Sequence, residues 1–161
     1  MNNLNFKSLI NHHNNVLDVK NDPYGYCTTN NFFPENVIKN VSSSFNFPET
    51  IGTTSDVLFQ KTKRALNNYD LFPLEIKKVV DYLNSKDFIN ILEDKFGIRN
   101  LVADPSLFGG GMHESRNGGY LKIHSDFIYI RNKKLKRMLN LLVYLNDNWD
   151  ENWGGAIELW D

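Results

Sequence analysis

The tripeptide His124-Ser125-Asp126 constrains this chain most, because it sets an imidazole and a carboxylate two residues apart. Side chains alternate between the faces of an extended strand, so residues two apart project to the same side. Residues 120–123 favour such a strand, and Gly118-Gly119 is the predicted turn that starts it. A histidine and a carboxylate on one face are two of the three ligands of a facial triad, which holds Fe(II) with open positions.

Two interpretations of the tripeptide are open at this point. In the first, His124 and Asp126 bind a metal ion through their shared face. In the second, a histidine at the end of a strand hydrogen-bonds to a neighbouring aspartate and no metal is involved. The three residues alone favour the second interpretation, so the choice depends on the segments around them.

The segments that follow come in a specific order. Residues 137–146 predict a second strand, because they start at Arg137, continue as a mainly apolar run and end in Tyr-Leu-Asn at 144–146. A loop with the sequence Asp-Asn-Trp-Asp, residues 147–150, follows. Gly154-Gly155 then precedes the apolar residues 156–160. In this order and spacing the chain resembles the Fe(II)- and 2-oxoglutarate-dependent dioxygenases, specifically the prolyl 4-hydroxylase-like branch. The resemblance is strong from about Asp104 onward and loose before that residue.

The resemblance implies an α+β fold, a double-stranded β-helix or jelly roll with N-terminal helices packed on one sheet. Apolar residues at helical spacing predict helices at 34–47, at 73–83, and between the N-cap Ser85 and the stop residue Gly97. A strand is predicted near 57–59, and residues 98–103 are expected to begin the main sheet. Residues 1–21 are predicted to form a short helix or an ordered arm, with His12-His13 exposed and not bound to metal.

The length of 161 residues predicts a single domain over 1–161. The resemblance implies a third iron ligand, a histidine on a later strand, followed by a basic residue for the far carboxylate of 2-oxoglutarate. Neither occurs before Asp161, so the domain is expected to be incomplete at its C-terminus, to lack its last strands and to be inactive as given. His113 is the one nearby histidine that could substitute. Open strand edges predict self-association, most simply a homodimer.

The resemblance also assigns roles to individual residues. His124 and Asp126 are the metal ligands and catalytic centre. Tyr144 is expected to hold the far carboxylate of 2-oxoglutarate, with core packing as its alternative role. Arg137 is assigned to the cofactor site or its rim. The glycine run 109–111 is predicted to let the backbone bend beside the site.

The implied cofactors are Fe(II), 2-oxoglutarate and O₂, with ascorbate as reductant. The implied reaction consumes O₂ and 2-oxoglutarate, releases CO₂ and succinate, and hydroxylates a prolyl or similar side chain of a protein, peptide or small molecule. The alternative is a non-catalytic jelly-roll module that binds a peptide, a sugar or a partner subunit. Trp149 and Trp153 bracket an acidic loop and either close over substrate or cap the sheet.

Composition excludes some other classes of function. The net charge of -1 creates no global field that attracts nucleic acid. No apolar run approaches the roughly 20 residues that a membrane helix needs. Cys27 is the single cysteine, so the chain forms no intrachain disulfide, and a reducing, cytoplasmic setting is expected.

Overall fold

A computed structural model describes the chain over residues 6–47, 53–130 and 134–160, without the side chains of 6–8, 14 and 53–56. The structure is α+β with small antiparallel sheets. It divides into two compact units. The first contains residues 1–45, 73–105 and 159–161, and the second contains residues 46–72 and 106–158. No helix in the described part of the chain is long and apolar enough to cross a bilayer.

Four helices build the first unit. They are α1 (Phe6–Val16), α2 (Glu35–Ser44), α3 (Leu74–Leu83) and α4 (Lys86–Phe96). The three helices predicted from periodicity are confirmed, and the N-terminal segment forms the expected short helix. Ser85 caps α4 by accepting a hydrogen bond from the Phe88 backbone N–H at 3.3 Å. Gly97 ends it in the left-handed conformation, with φ of 63°.

His13 lies at the centre of this unit, so the prediction that both N-terminal histidines are exposed is wrong for this residue. Its side chain is fully buried and stacks on Phe32 with ring centroids 3.8 Å apart. Nε2 lies 2.7 Å from the Phe32 carbonyl oxygen, which only accepts, so Nε2 carries the proton. Nδ1 therefore accepts from the Tyr82 hydroxyl at 2.5 Å. Burial is the main cause that lowers the pKa of His13 below its usual value.

A three-stranded antiparallel sheet forms the second unit. Its strands, in spatial order, are β1 (Thr53–Val57), β2 (Gln60–Leu66) and β3 (Met112–Leu121). Leu58-Phe59 is the turn between β1 and β2, so the strand predicted near 57–59 is displaced. The sheet does not begin at residues 98–103, which are irregular.

The Gly118-Gly119 pair lies inside β3 and does not start a strand, contrary to the prediction. Lys61 pairs with Tyr120, and Lys63 pairs with Ser115. A step of two residues along β2 therefore corresponds to a step of five residues along β3. The extra residues form a bulge, in which Gly118 has a φ of 72°. A Cβ on Gly119 would lie 2.7 Å from the Arg116 carbonyl oxygen, so the bulge needs glycine there.

Arg64 anchors one face of this sheet. It is 4% exposed and pairs with Glu114 on β3, with Nη1 and Oε2 3.1 Å apart. Its guanidinium also donates to the Phe47 carbonyl and lies over the Phe47 ring. A buried charge that is paired and hydrogen-bonded avoids most of the desolvation cost, so this contact fixes the first half of β3.

A short hairpin of β4 (Tyr129–Ile130) and β5 (Leu135–Lys136) follows β3. From residue 137 to 160 the backbone is irregular apart from one 3₁₀ turn at Glu151–Trp153, so the second strand predicted over 137–146 is wrong. Strands need a paired neighbour, and in the described residues the hairpin ladder stops at Lys136. The double-stranded β-helix is therefore not seen in this part of the chain. The single-domain organisation and the packing of helices on the sheet stay predictions.

Candidate metal centre

His124-Ser125-Asp126 lies in the connection between β3 and β4, in irregular backbone and not in the strand that its spacing suggested. β3 ends at Leu121, and the Lys122 backbone N–H donates to the Phe59 carbonyl at 2.8 Å. This bond ties the start of the connection to the β1–β2 turn. The two candidate ligands therefore meet through local hydrogen bonds and not through the alternation of a strand.

The His124 ring is oriented by its own backbone. Nδ1 lies 2.7 Å from the Lys122 carbonyl oxygen and must donate to it, which leaves the Nε2 lone pair available in the neutral ring. Nε2 lies 3.5 Å from Oδ1 of Asp126. Two ligand atoms on adjacent octahedral positions, each about 2.1 Å from the metal, are separated by about 3 Å. The pair thus fits a divalent metal with little adjustment.

The outer oxygen of Asp126 is held by two donors. Arg137 Nη1 lies 2.8 Å from Oδ2, and Asn140 Nδ2 lies 3.2 Å from the same atom. Because both donors engage Oδ2, it is Oδ1 that faces His124. Hydrogen bonds of this kind to the outer atoms of ligands set ligand orientation in metal sites.

Arg137 is itself fixed from two further directions. Its Nη2 donates to the Phe108 carbonyl at 3.2 Å, and its guanidinium carbon lies 3.8 Å from the centroid of the Phe127 ring. Phe127 in turn packs edge-on against Phe108, with centroids 4.9 Å apart. A planar guanidinium suits this combination of stacking and directed donation, which a lysine could not reproduce.

Gly109 makes room for this cluster. Its φ is 71°, and an added Cβ would lie 2.6 Å from the Phe127 ring and 3.0 Å from Arg137 Nη2. Both the backbone conformation and the space therefore require glycine. The prediction that this glycine run bends the backbone beside the site is confirmed at residue 109.

His113 is the nearest further histidine in the sequence and lies on β3, largely exposed. Its Nε2 lies 3.2 Å from the Gly110 carbonyl oxygen. Partial desolvation, followed by the charge of Lys63, lowers the pKa of His113, and the Gly110 hydrogen bond and the charge of Asp126 oppose that change. Within the described ranges no group of three His, Cys, Asp or Glu side chains could hold a metal ion, so His113 does not complete the site.

The remaining predicted residue, Tyr144, is 60% exposed in the irregular segment after β5, and its cofactor role stays a prediction. The same holds for the cofactor role of Arg137, whose guanidinium contacts Asp126 here. Sequence reasoning missed Asn140 and Phe127. Asn140 could have been noticed as the one polar side chain inside an otherwise apolar stretch, residues 138–143.

Comparison with known families identifies one match. Residues 110–161 match the family model described as the 2OG-Fe(II) oxygenase superfamily, which covers less than half of the chain. No curated protein and no solved structure matched. The matched segment contains His124, Asp126, Arg137 and Asn140. Residues 110–161 are therefore similar to the 2OG-Fe(II) oxygenase superfamily, whose members in general use Fe(II), 2-oxoglutarate and O₂.

Proposed function

We propose that this chain is part of an Fe(II)- and 2-oxoglutarate-dependent dioxygenase that hydroxylates a prolyl or similar side chain, with His124 and Asp126 as two of its iron ligands. One observation carries the proposal. Nε2 of His124 and Oδ1 of Asp126 face each other at 3.5 Å. The other polar atom of each side chain is already hydrogen-bonded, Nδ1 of His124 to the Lys122 carbonyl and Oδ2 of Asp126 to Arg137 and Asn140.

Each residue of the cluster then has a defined task. The hydrogen bond from His124 Nδ1 to the Lys122 carbonyl selects the Nδ1–H tautomer of the neutral ring, whose Nε2 lone pair can bind the metal. Arg137 and Asn140 keep Oδ1 of Asp126 turned toward that nitrogen. Bound Fe(II), together with 2-oxoglutarate and O₂, would supply the chemistry that hydroxylates a C–H bond and yields succinate and CO₂.

The proposal requires two further groups, a third protein ligand and a basic residue that pairs with the far carboxylate of 2-oxoglutarate. In the family that the chain resembles, the third ligand is a histidine on a later strand and the basic residue follows it. Tyr144 is proposed to donate its hydroxyl to that same carboxylate. The prolyl substrate class is supported by the order of the His-x-Asp, Tyr-Leu-Asn and Gly-Gly segments, which resembles the prolyl 4-hydroxylase-like branch.

The test is a comparison of metal binding and turnover in the full-length protein. We expect His124→Ala and Asp126→Ala each to weaken Mn(II) binding by at least about a hundredfold and to abolish succinate formation with Fe(II) and ascorbate present. His12→Ala is the matched control, because His12 belongs to the other unit, where its ring lies beside the Asn31 carbonyl and the His13 ring. Full turnover by either ligand variant would refute the assignment.

The substrate class has its own measurement. Prolyl peptides incubated with the full-length protein, Fe(II), 2-oxoglutarate and O₂ should gain one oxygen atom by mass, with one succinate formed for each hydroxyl group. If succinate forms stoichiometrically but the hydroxyl group is found on another residue, the protein is a dioxygenase and the proposed prolyl specificity is excluded.

A further inference from the structure

Two tryptophans stand out on the surface of the second unit. Trp149 and Trp153 are 51% and 64% exposed, and their ring centroids lie 5.3 Å apart at an interplanar angle of 87°. Indole rings carry large apolar areas, and two adjacent exposed indoles form an apolar patch of the kind that recognition surfaces use.

The loop that carries the two rings is held by its own hydrogen bonds. The Trp149 indole N–H donates to the Gly154 carbonyl at 2.8 Å. Asp150 Oδ1 accepts from both the backbone N–H and the side-chain amide of Asn152, each at 2.8 Å. These bonds close the 3₁₀ turn and present the two indoles at a fixed mutual angle.

The charged residues around the pair in the sequence all carry the same sign. Asp147, Asp150 and Glu151 flank the rings, and residues 138–161 contain five acidic residues and no lysine or arginine. The whole chain has a net charge of only -1, so negative charge is concentrated in this segment. Carboxylates and the negative faces of indole rings attract the same ligand, a cation.

We propose that the Trp149–Trp153 pair and its flanking carboxylates bind a lysine or arginine side chain of a protein partner. The cationic group would lie over an indole face, where Asp147 and Glu151 add attraction, and its methylenes would pack on the neighbouring ring. A neutral sugar would stack on an indole and donate its hydroxyls to the carboxylates, so the dependence of binding on a positive charge is what separates the two kinds of ligand. The surface does not involve the metal centre, and the proposal stands without the proposed function.

Fluorescence titration of the full chain tests the proposal. Trp160→Phe serves as the background, because it leaves Trp149 and Trp153 as the only indoles. The probes are acetyl-Gly-Lys-Gly-amide and the same peptide with norleucine, which keeps the methylenes and removes the charge. We expect the lysine peptide to bind at least about threefold more tightly, with the difference shrinking as salt is added.

Three variants localise the site. Trp153→Ala should remove binding of the lysine peptide, whereas Tyr129→Ala, which deletes another exposed aromatic of the same unit, should leave it unchanged. Asp147→Asn should weaken binding of the lysine peptide and leave that of the norleucine peptide as it was. Protection of the Trp149 indole N–H from exchange with solvent in Trp153→Ala shows whether the loop still forms its bond to Gly154.

Three results would overturn the proposal: no binding of the lysine peptide, equal affinity for both peptides, or unchanged binding in Trp153→Ala. If that protection from exchange is lost in Trp153→Ala, Trp153→Phe decides the question. A phenyl ring keeps the apolar contact but offers a weaker face to a cation, so binding of the lysine peptide must fall while the norleucine peptide stays nearly unchanged. Equal loss for both peptides would count against a cation site.

Discussion

Arg137 Nη1 lies 2.8 Å from Oδ2 of Asp126, on the side of the carboxylate that faces away from His124. The ion pair joins the residue after β5 to the connection after β3, eleven positions earlier. A partly exposed pair of this kind contributes little to stability. Its effect is on orientation, because it leaves the other carboxylate oxygen directed at the imidazole nitrogen.

Arg137→Gln should therefore lower metal affinity while the fold is retained. Loss of an outer hydrogen bond to a ligand typically costs about ten- to a hundredfold in affinity, and we expect that range for Mn(II) measured by calorimetry. Arg116→Gln is the matched control, since Arg116 also pairs with a carboxylate of the same unit, that of Glu114. Equal Mn(II) affinities in the two variants would mean that Arg137 does not position Asp126.

Gly109→Ala should disturb the same cluster from the other side. The new Cβ would meet Phe127 and Arg137, and the positive φ would add strain of about 1 kcal/mol or more. Gly118→Ala separates the two effects, because Gly118 has a nearly equal φ of 72° and nothing within 4 Å of an added Cβ. Urea unfolding and Mn(II) titration of both variants should show a loss of metal affinity only in Gly109→Ala.

Tyr144→Phe tests the proposed contact with 2-oxoglutarate. A lost hydrogen bond to a charged group costs roughly 1.5–3 kcal/mol, so the half-saturating concentration of 2-oxoglutarate should rise about ten- to a hundredfold in the full-length protein. Iron affinity should hardly change. Tyr129→Phe, at a tyrosine of similar exposure, is the control. An unchanged 2-oxoglutarate requirement would leave Tyr144 with a packing role.

His13 should make the stability of the first unit depend on pH. Its folded pKa is lowered, so the unfolded chain binds the proton more readily below the ordinary value of about 6.5. The contribution of His13 to the free energy of unfolding is complete above that pH. It is lost as the pH falls toward the folded pKa, by up to about 1.4 kcal/mol per pH unit.

His13→Gln supplies the comparison for this pH dependence. A glutamine amide does not titrate, yet it can donate to the Phe32 carbonyl and accept from the Tyr82 hydroxyl as His13 does. Urea unfolding of both proteins between about pH 7.5 and 5.5 should show an extra loss of stability only in the wild type. Parallel curves would show that His13 does not titrate differently on unfolding.

Local signals in the sequence determined the helices and the identity of the candidate ligands. The caps Ser85 and Gly97 act within one turn of α4, and the apolar spacing of each helix repeats over a few residues, so both are readable without knowledge of the rest of the chain. His124 and Asp126 could be chosen from their residue types and their spacing of two.

Tertiary structure alone decided how those ligands are arranged. Arg137 reaches Asp126 and Phe108 across 11 and 29 positions, and His13 is buried against Tyr82 from 69 positions away. The bulge in β3 requires the glycines at 118 and 119, but its position is set by the register of β3 with β2, which the sequence does not show. Periodicity and spacing record only neighbours along the chain, whereas burial, strand pairing and the direction of a hydrogen bond depend on which distant segments fold against each other.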